Sequence, residues 1–300
     1  MKILVFGAGS IGIRHALNIV RLGHHVEVVE PFPSRRSEFE DTHTNIAIHP
    51  TIPQGDFNAA VVCVPISAHA KVLNQCLANG LPIYIEKPIG KDTNIKNFRQ
   101  LASMNNLPLI MVGYQLRFHE AVEFIREWRT DSPPISYKLA CRCDMSSWVG
   151  ASRNEDFLLE LSHEIDLALH LGATELNDCE INMRLRRAKL YFTNCTVLLD
   201  GSFKGYQREW ECKSANDDFM KSSFRSPESL GGDMYIKSMN HFLSAVERGA
   251  KTTSHGCTFT EAINVLDVIA QVRNAYVERT VGAPSAASSG RRVGRSRGSE

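Results

Sequence analysis

Ile3, Leu4, Val5 and Phe6 form a short unbroken apolar run, the pattern of a strand buried on both faces. From Ile11 to Leu22 the apolar positions recur at helical spacing instead. The same alternation repeats downstream. His25–Glu30 reads as a second strand, Phe57–Pro65 as a buried strand closed by proline, and Leu81–Pro88 as another strand with its C-terminal loop. His69–Asn79 carries Ala70, Leu73, Cys76 and Leu77 at helical spacing, with Gly80 as its stop. Ile95–Met104 reads as a helix and Pro108–Val112 as a further strand. Strand and helix in turn predict an α/β domain on a doubly wound parallel sheet, with a ligand crevice at the carboxyl ends of the strands.

The pattern changes near Arg117. Ala121, Phe124, Ile125 and Trp128 mark a short helix over 121–129, which Pro133 and Pro134 end. Ile135–Cys143 alternates in strand fashion, and Phe157–Leu171 returns to helical spacing through Leu158, Leu161, Ile165 and Leu169. Ile181–Leu185, Lys189–Leu199 and Gly205–Cys212 alternate again, with Asn194, Cys195 and Gly201 at turn positions. These runs predict an α+β domain with an open, mainly antiparallel sheet, one face covered by helices. Asn216–Gly232 is polar and reads as a mobile loop, followed by helices over Met234–Arg248 and Phe259–Arg279. Beyond Gly282, small residues and arginines bury too little apolar surface to fold. The expected organisation is a first domain over 1–116, a second over 117–282 whose last helices can pack back on the first, and a disordered tail over 283–300.

Composition narrows this picture mainly by exclusion. With 43% hydrophobic and 22% charged residues, 300 residues suffice for about two domains with sizeable cores. The net charge is +1, and Arg291, Arg292, Arg295 and Arg297 gather much of the positive charge into the last ten residues. A basic tail on a slightly acidic body is not a nucleic-acid platform. No segment reads as a signal peptide, and no stretch is long enough to span a bilayer. The eight cysteines are scattered without a C-x-x-C pair, which fits reduced thiols and a cytoplasmic protein. Cys141 and Cys143 share one face of a strand. No second ligand pair follows at metal spacing, so they read as small apolar residues packing inward, and no metal site is expected.

Candidate chemistry begins at Gly7-Ala-Gly-Ser-Ile-Gly12, a G-x-G-x-x-G turn between the first strand and the first helix. Gly7 allows a tight turn, Gly9 lets backbone approach a pyrophosphate, and Gly12 lets the helix pack on the sheet. The free N–H groups of that helix end, at Ser10 and Ile11, face the anion. Glu30 stands about twenty residues past this motif, where a carboxylate accepts hydrogen bonds from an adenosine ribose and so favours NAD. Ser34, Arg35 and Arg36 follow at once, and arginines there can hold a 2′-phosphate, which keeps NADP open. The plainer reading of the arginines is a solvated loop.

Taken together, Gly7-Ala-Gly-Ser-Ile-Gly12, Val64-Pro-Ile-Ser-Ala-His69-Ala70, Glu86-Lys87-Pro88, Gly113-Tyr-Gln-Leu-Arg-Phe118, His163-Glu-Ile-Asp166 and the helix Tyr235–Gly249 resemble the glucose–fructose oxidoreductase/inositol dehydrogenase (Gfo/Idh/MocA) family, in order and spacing, from residue 1 to about 280. The resemblance implies a Rossmann domain holding NAD(P) through Gly7, Gly9, Ser10, Ile11, Gly12, Glu30, Pro65, His69, Glu86 and Lys87. It implies that Lys87 lies beside the nicotinamide and bonds the hydroxyl being oxidised. A lysine in a partly desolvated crevice can exchange that proton. His163 matches a histidine that faces the sugar and relays the proton, a task suited to imidazole. Gln115, Arg117, Trp148, Glu160 and Asp166 become candidate substrate contacts, with Arg153 and Asn154 beside them. Helical spacing places Glu160, His163, Asp166 and His170 on one face, where they suit a cleft wall or equally a solvated face. His170 reads as a core or surface histidine.

The implied function is NAD(P)-dependent hydride transfer at a hydroxyl or keto carbon of a sugar, sugar acid or nucleotide sugar. The implied assembly is a homodimer or homotetramer through the C-terminal sheet. Two departures stand out. Inositol-dehydrogenase-like members carry an aspartate four residues before the histidine, where this chain has Leu159 with Glu160 beside it. Residues 158–166 resemble a branch associated with cell-surface and nonulosonic-acid sugars, yet Ser147–Asp156 lacks that branch's glycine triplet. An NAD-retaining lyase, epimerase or hydrolase acting through transient oxidation, and a non-catalytic NAD-binding regulator, remain as alternatives.

Overall fold

The computed structural model describes residues 1–131, 134–145, 156–214, 219–225 and 233–281. Trp148, Arg153 and Asn154, and the tail over 283–300, lie outside the described residues.

The apolar runs of the first half become β1 (Lys2–Phe6), β2 (His25–Val29), β3 (Ala47–His49), β4 (Ala59–Val62), β5 (Ile83–Glu86) and β6 (Ile110–Gly113). Every residue of β4, β5 and β6 is buried, as continuous apolar runs in a parallel sheet require. Helices α1 (Ser10–Arg21), α2 (Pro33–Thr42), α3 (Ile66–Ala78) and α4 (Ile95–Ala102) supply crossovers. The pairs among β1–β6 are all parallel, in the order β6-β5-β4-β1-β2-β3. The order reverses between β1 and β4, so the crevice lies where their carboxyl ends diverge.

A 3-10 turn (Gln115–Phe118) leads into the second half: α5 (Glu120–Asp131), β7 (Pro134–Asp144), α6 (Phe157–Glu160), α7 (His163–His170), β8 (Leu176–Asn182), β9 (Arg187–Phe192), β10 (Cys195–Asp200), β11 (Ser202–Ser214), β12 (Phe219–Phe224), α8 (Asp233–Glu247), β13 (Cys257–Thr258) and α9 (Phe259–Val281). Six of these strands form a second sheet in the order β12-β11-β7-β10-β9-β8. Its pairs are antiparallel except β7 with β10. Cys141 and Cys143 are buried on the covered face, as small inward-packing residues should be.

The structure departs from the sequence reading in four places. Ser34, Arg35 and Arg36 lie in α2 and not in a loop, because Pro33 fits a first helical turn and Phe39 anchors the helix in the core. The single helix expected over 157–171 is broken at Leu161 and Ser162 into α6 and α7. Part of the loop expected over 216–232 is the edge strand β12, whose residues 219–224 pair with β11. The last is β13, a two-residue strand without a counterpart in the sequence reading, which adds an antiparallel edge to the first sheet, beside β6. Helices α8 and α9 pack against α1 and α4, so the end of the chain returns to the first sheet.

Candidate active site

Parallel strands place all their carboxyl ends along one edge, and the sequence-derived candidates fall there from four of them. At the end of β1, Gly7 adopts φ +98°, and a Cβ on it would stand 2.8 Å from the Cys63 carbonyl oxygen. A Cβ on Gly12 would lie 1.9 Å from the Gly7 oxygen, so the helix reaches its seat only without one. At Gly9 a Cβ would meet nothing within 4 Å, so this glycine faces open space. Helix α1 has no side-chain cap and no acidic residue in its first turn. Its exposed Ser10 and half-buried Ile11 therefore present unclaimed backbone dipoles to that space.

Glu30, at the end of β2, is buried and accepts from the Ala8 N–H at 3.0 Å and the Phe32 N–H at 3.1 Å. Its carboxylate is thus fixed against the glycine turn, with lone pairs remaining on each oxygen. Arg36 Nη1 donates to the Glu30 and Pro31 carbonyl oxygens, both at 2.9 Å, and Arg35 lies 5.7 Å from the Phe32 ring centroid. Both arginines proposed for a 2′-phosphate are engaged by the protein itself. Pro65 is the exposed N-cap of α3, whereas His69 is buried and donates from Nε2 to the Val64 carbonyl at 2.9 Å. Burial lowers the His69 pKa, against hydrogen bonds that raise it.

The other end of the edge carries the proton chemistry. Lys87 follows β5 directly, and its Nζ donates to the Glu160 main-chain oxygen at 3.0 Å and lies 3.7 Å from Glu160 Oε2. Both side chains are mostly covered. His163 begins α7 directly after the break at Leu161 and Ser162, with its ring edge-on to Tyr114 at 5.5 Å. Its pKa is pushed well below 6.5, first by burial and then by the charges of Lys87 and Arg208. Lys87, Glu160 and His163 therefore share one neighbourhood.

Other candidates are placed differently. Arg117 and Asp166, expected as substrate contacts, both lie buried. They form a buried pair in which Nε donates to Asp166 Oδ2 at 2.9 Å and Nη2 to Oδ1 at 2.6 Å, while Nη1 reaches Glu261 at 3.0 Å. Burial opposes the guanidinium charge, and Asp166 more than restores it. Gln115 is buried and donates to Glu86 Oε1 at 2.9 Å, which also receives His15 Nε2 at 2.7 Å. His170 packs near His255, with ring centroids 6.0 Å apart.

Sequence reading missed Arg208 and Glu164. Arg208, on β11, lies 2.9 Å from Glu164 Oε1 and donates to Cys141 Sγ at 3.4 Å. Burial pushes Glu164 up to about 8, against the opposing pull of Arg208. The only signal for this cation was its place at an inward position of an alternating strand. Among the described residues no group of three His, Cys, Asp or Glu side chains converges on a metal position, and no helix is long and apolar enough to cross a membrane.

The first 114 residues match the model of an oxidoreductase family with an NAD-binding Rossmann fold, Gfo/Idh/MocA. These residues are thus similar to the NAD-binding Rossmann domain of that family. Over 194 residues the chain is 27% identical to inositol 2-dehydrogenase 2 of Mycolicibacterium vanbaalenii, covering 60% of this chain and 56% of that protein. Over 191 residues it is 25% identical to inositol 2-dehydrogenase of Corynebacterium glutamicum, covering 60% and 57%. The chain thus spans a little over half the length of the curated relatives it matches. The whole fold resembles that of scyllo-inositol dehydrogenase from Lactobacillus casei, solved with NAD(H) and scyllo-inositol, at a TM-score of 0.75 and 13% identity, covering 93% of this chain and 97% of that one. The glycine turn of the Rossmann domain, with Gly9 open and Glu30 fixed beside it, fits the dinucleotide.

Proposed function

We propose that this chain is an NAD-dependent dehydrogenase acting on the CH–OH group of a cyclic polyol or sugar. The observation that carries the proposal is the bond of Lys87, at the carboxyl end of β5 and on the same sheet edge as the glycine turn, to the Glu160 carbonyl at 3.0 Å, three residues before the buried His163. Gly7, Gly9, Gly12 and the first turn of α1 would hold the pyrophosphate, and Glu30 the adenosine ribose. NAD supplies the hydride acceptor when bound.

The protein positions a carbinol and moves its proton. Lys87 donates a hydrogen bond to the hydroxyl oxygen and steadies the charge that builds there as the O–H proton leaves. His163, held neutral by burial and by its cationic neighbours, accepts a proton. Glu160 stands where it can hold Lys87 in place, a partner supplied from beside the Leu159 position. Orientation of the carbon is the larger part of such catalysis.

The inositol dehydrogenase relatives favour a cyclic polyol, and the resemblance of residues 158–166 to the cell-surface-sugar branch adds sugar acids and nucleotide sugars to the candidates. Following NADH formation at 340 nm with inositols, hexoses, uronic acids and nucleotide sugars tests the reading. Turnover of one class supports it, whereas bound NAD with no turnover of any of them contradicts it. Self-association through the open face of the second sheet belongs to the same proposal. That face carries Arg142 with Glu209 at 2.7 Å and Lys221 with Glu211 at 2.8 Å, and sedimentation velocity reads the oligomer.

A further inference from the structure

His15 is a fully buried titratable side chain to which hydride transfer assigns no task. It lies on α1, three residues past Gly12, in the stripe that also buries Ala16 and Ile19. An aliphatic residue would fill that place without the desolvation of an imidazole. The imidazole instead donates from Nε2 to Glu86 Oε1 at 2.7 Å, and Gln115 Nε2 donates to the same oxygen at 2.9 Å. The wall behind is bare backbone: a Cβ on Gly113 would stand 2.9 Å from that oxygen and 3.1 Å from Tyr84 Oη. The carboxylate is therefore gripped from α1 and from the 3-10 turn, and backed by β6. The Tyr84 ring packs against His15 at 5.1 Å and limits its sideways movement.

We propose that His15 is a positioning residue that ties the phosphate-binding helix to Lys87 through Glu86. Glu86 and Lys87 are consecutive, so fixing the carboxylate of the first fixes the backbone from which the second projects. Ser10 to His15 spans about 7.5 Å of rigid helix. A shift of α1 when a dinucleotide binds at its N-terminus is passed to the end of β5 through one short, charge-assisted hydrogen bond. Glu86, expected as a cofactor contact, acts here as the link between the two ends of the cofactor site. The inference rests on the NAD-binding reading for the identity of that ligand.

The test measures acetylation of Lys87 by an N-hydroxysuccinimide ester, quantified on its peptide by mass spectrometry, with and without NAD. NAD affinity is measured on each protein by calorimetry. In the wild type, NAD changes the Lys87 rate by about fivefold or more, a coupling of ordinary size. His15→Leu still binds NAD but loses that change, to under about twofold, and His15→Gln, whose amide places a donor near the Nε2 position, restores it. If His15→Leu does not fold, His15→Asn takes its place, because its amide is too short to reach Glu86. Coupling unchanged in the variant, failure of glutamine to restore it, or a wild-type Lys87 indifferent to bound NAD overturns this inference alone. A wild type that binds no NAD overturns it together with the proposed function.

Discussion

Lys87 Nζ donates to the main-chain oxygen of Glu160 at 3.0 Å and lies 3.7 Å from its carboxylate. The carbonyl bond survives any substitution at 160, so Glu160→Gln removes the charge alone. Both partners are largely covered, yet not sealed, and the expected loss of stability is within about 1 kcal/mol by urea unfolding. The expected loss in kcat/KM is about tenfold, which corresponds to about 1.4 kcal/mol of transition-state stabilisation. Unchanged kinetics would show that the carboxylate is a bystander.

The three glycines of the turn separate folding from binding. Gly9→Ala adds a methyl into open space, so its unfolding midpoint should match the wild type while NAD affinity falls at least about tenfold. Gly12→Ala drives a Cβ into the Gly7 carbonyl and is expected to lose roughly 1–3 kcal/mol of stability. Calorimetric NAD titration beside urea denaturation reads both. Equal behaviour of the two variants would contradict the assigned roles.

Burial, Lys87 and Arg208 all push the His163 pKa down. The imidazole is therefore neutral through the physiological range, and its capacity to accept a proton is lost only as pH falls through that depressed value. Removing one cationic neighbour with Lys87→Met should raise the pKa while burial keeps it below 6.5. Titration of the His163 ring proton by NMR checks the direction, and a fall in the variant would place Lys87 elsewhere. The same depression makes the fold acid-sensitive: below pH 6.5 the unfolded chain takes up a proton that the folded state refuses.

The first sheet was legible because four of its strands are unbroken apolar runs bounded by glycine, proline and helical periods. The glycine turn needed only local chemistry. Legibility failed where the cause was not local. Nothing near Arg117 or Asp166 announces that they will find each other across 49 residues, with Glu261 arriving from α9. Arg208 is invisible for the same reason, since its partner Glu164 lies on a different element. Periodicity also carried the 157–171 helix through Leu161 and Ser162, because apolar spacing alone does not mark a break. His15 left one faint sign, a polar residue in an otherwise sheet-facing stripe.

Removing one side of the buried Arg117–Asp166 pair should be costly. Asp166→Ala leaves the guanidinium with the partly exposed Glu261 and the Gly256 carbonyl, and the expected loss is roughly 3–5 kcal/mol. Arg117→Met with Asp166→Leu should recover part of it, since no unpaired charge remains. Urea unfolding of the single and double variants checks this, and additive losses would mean that the pair is not energetically coupled.

The central claim is that Lys87 serves the reacting hydroxyl and not the fold or the cofactor's affinity. Its most direct test is Lys87→Met, assayed for NAD binding by calorimetry and for NADH formation on the substrate found by screening. The expected outcome is NAD affinity within about threefold of wild type and a kcat lower by about 10²–10⁴-fold. Turnover at the wild-type rate with NAD bound would contradict it.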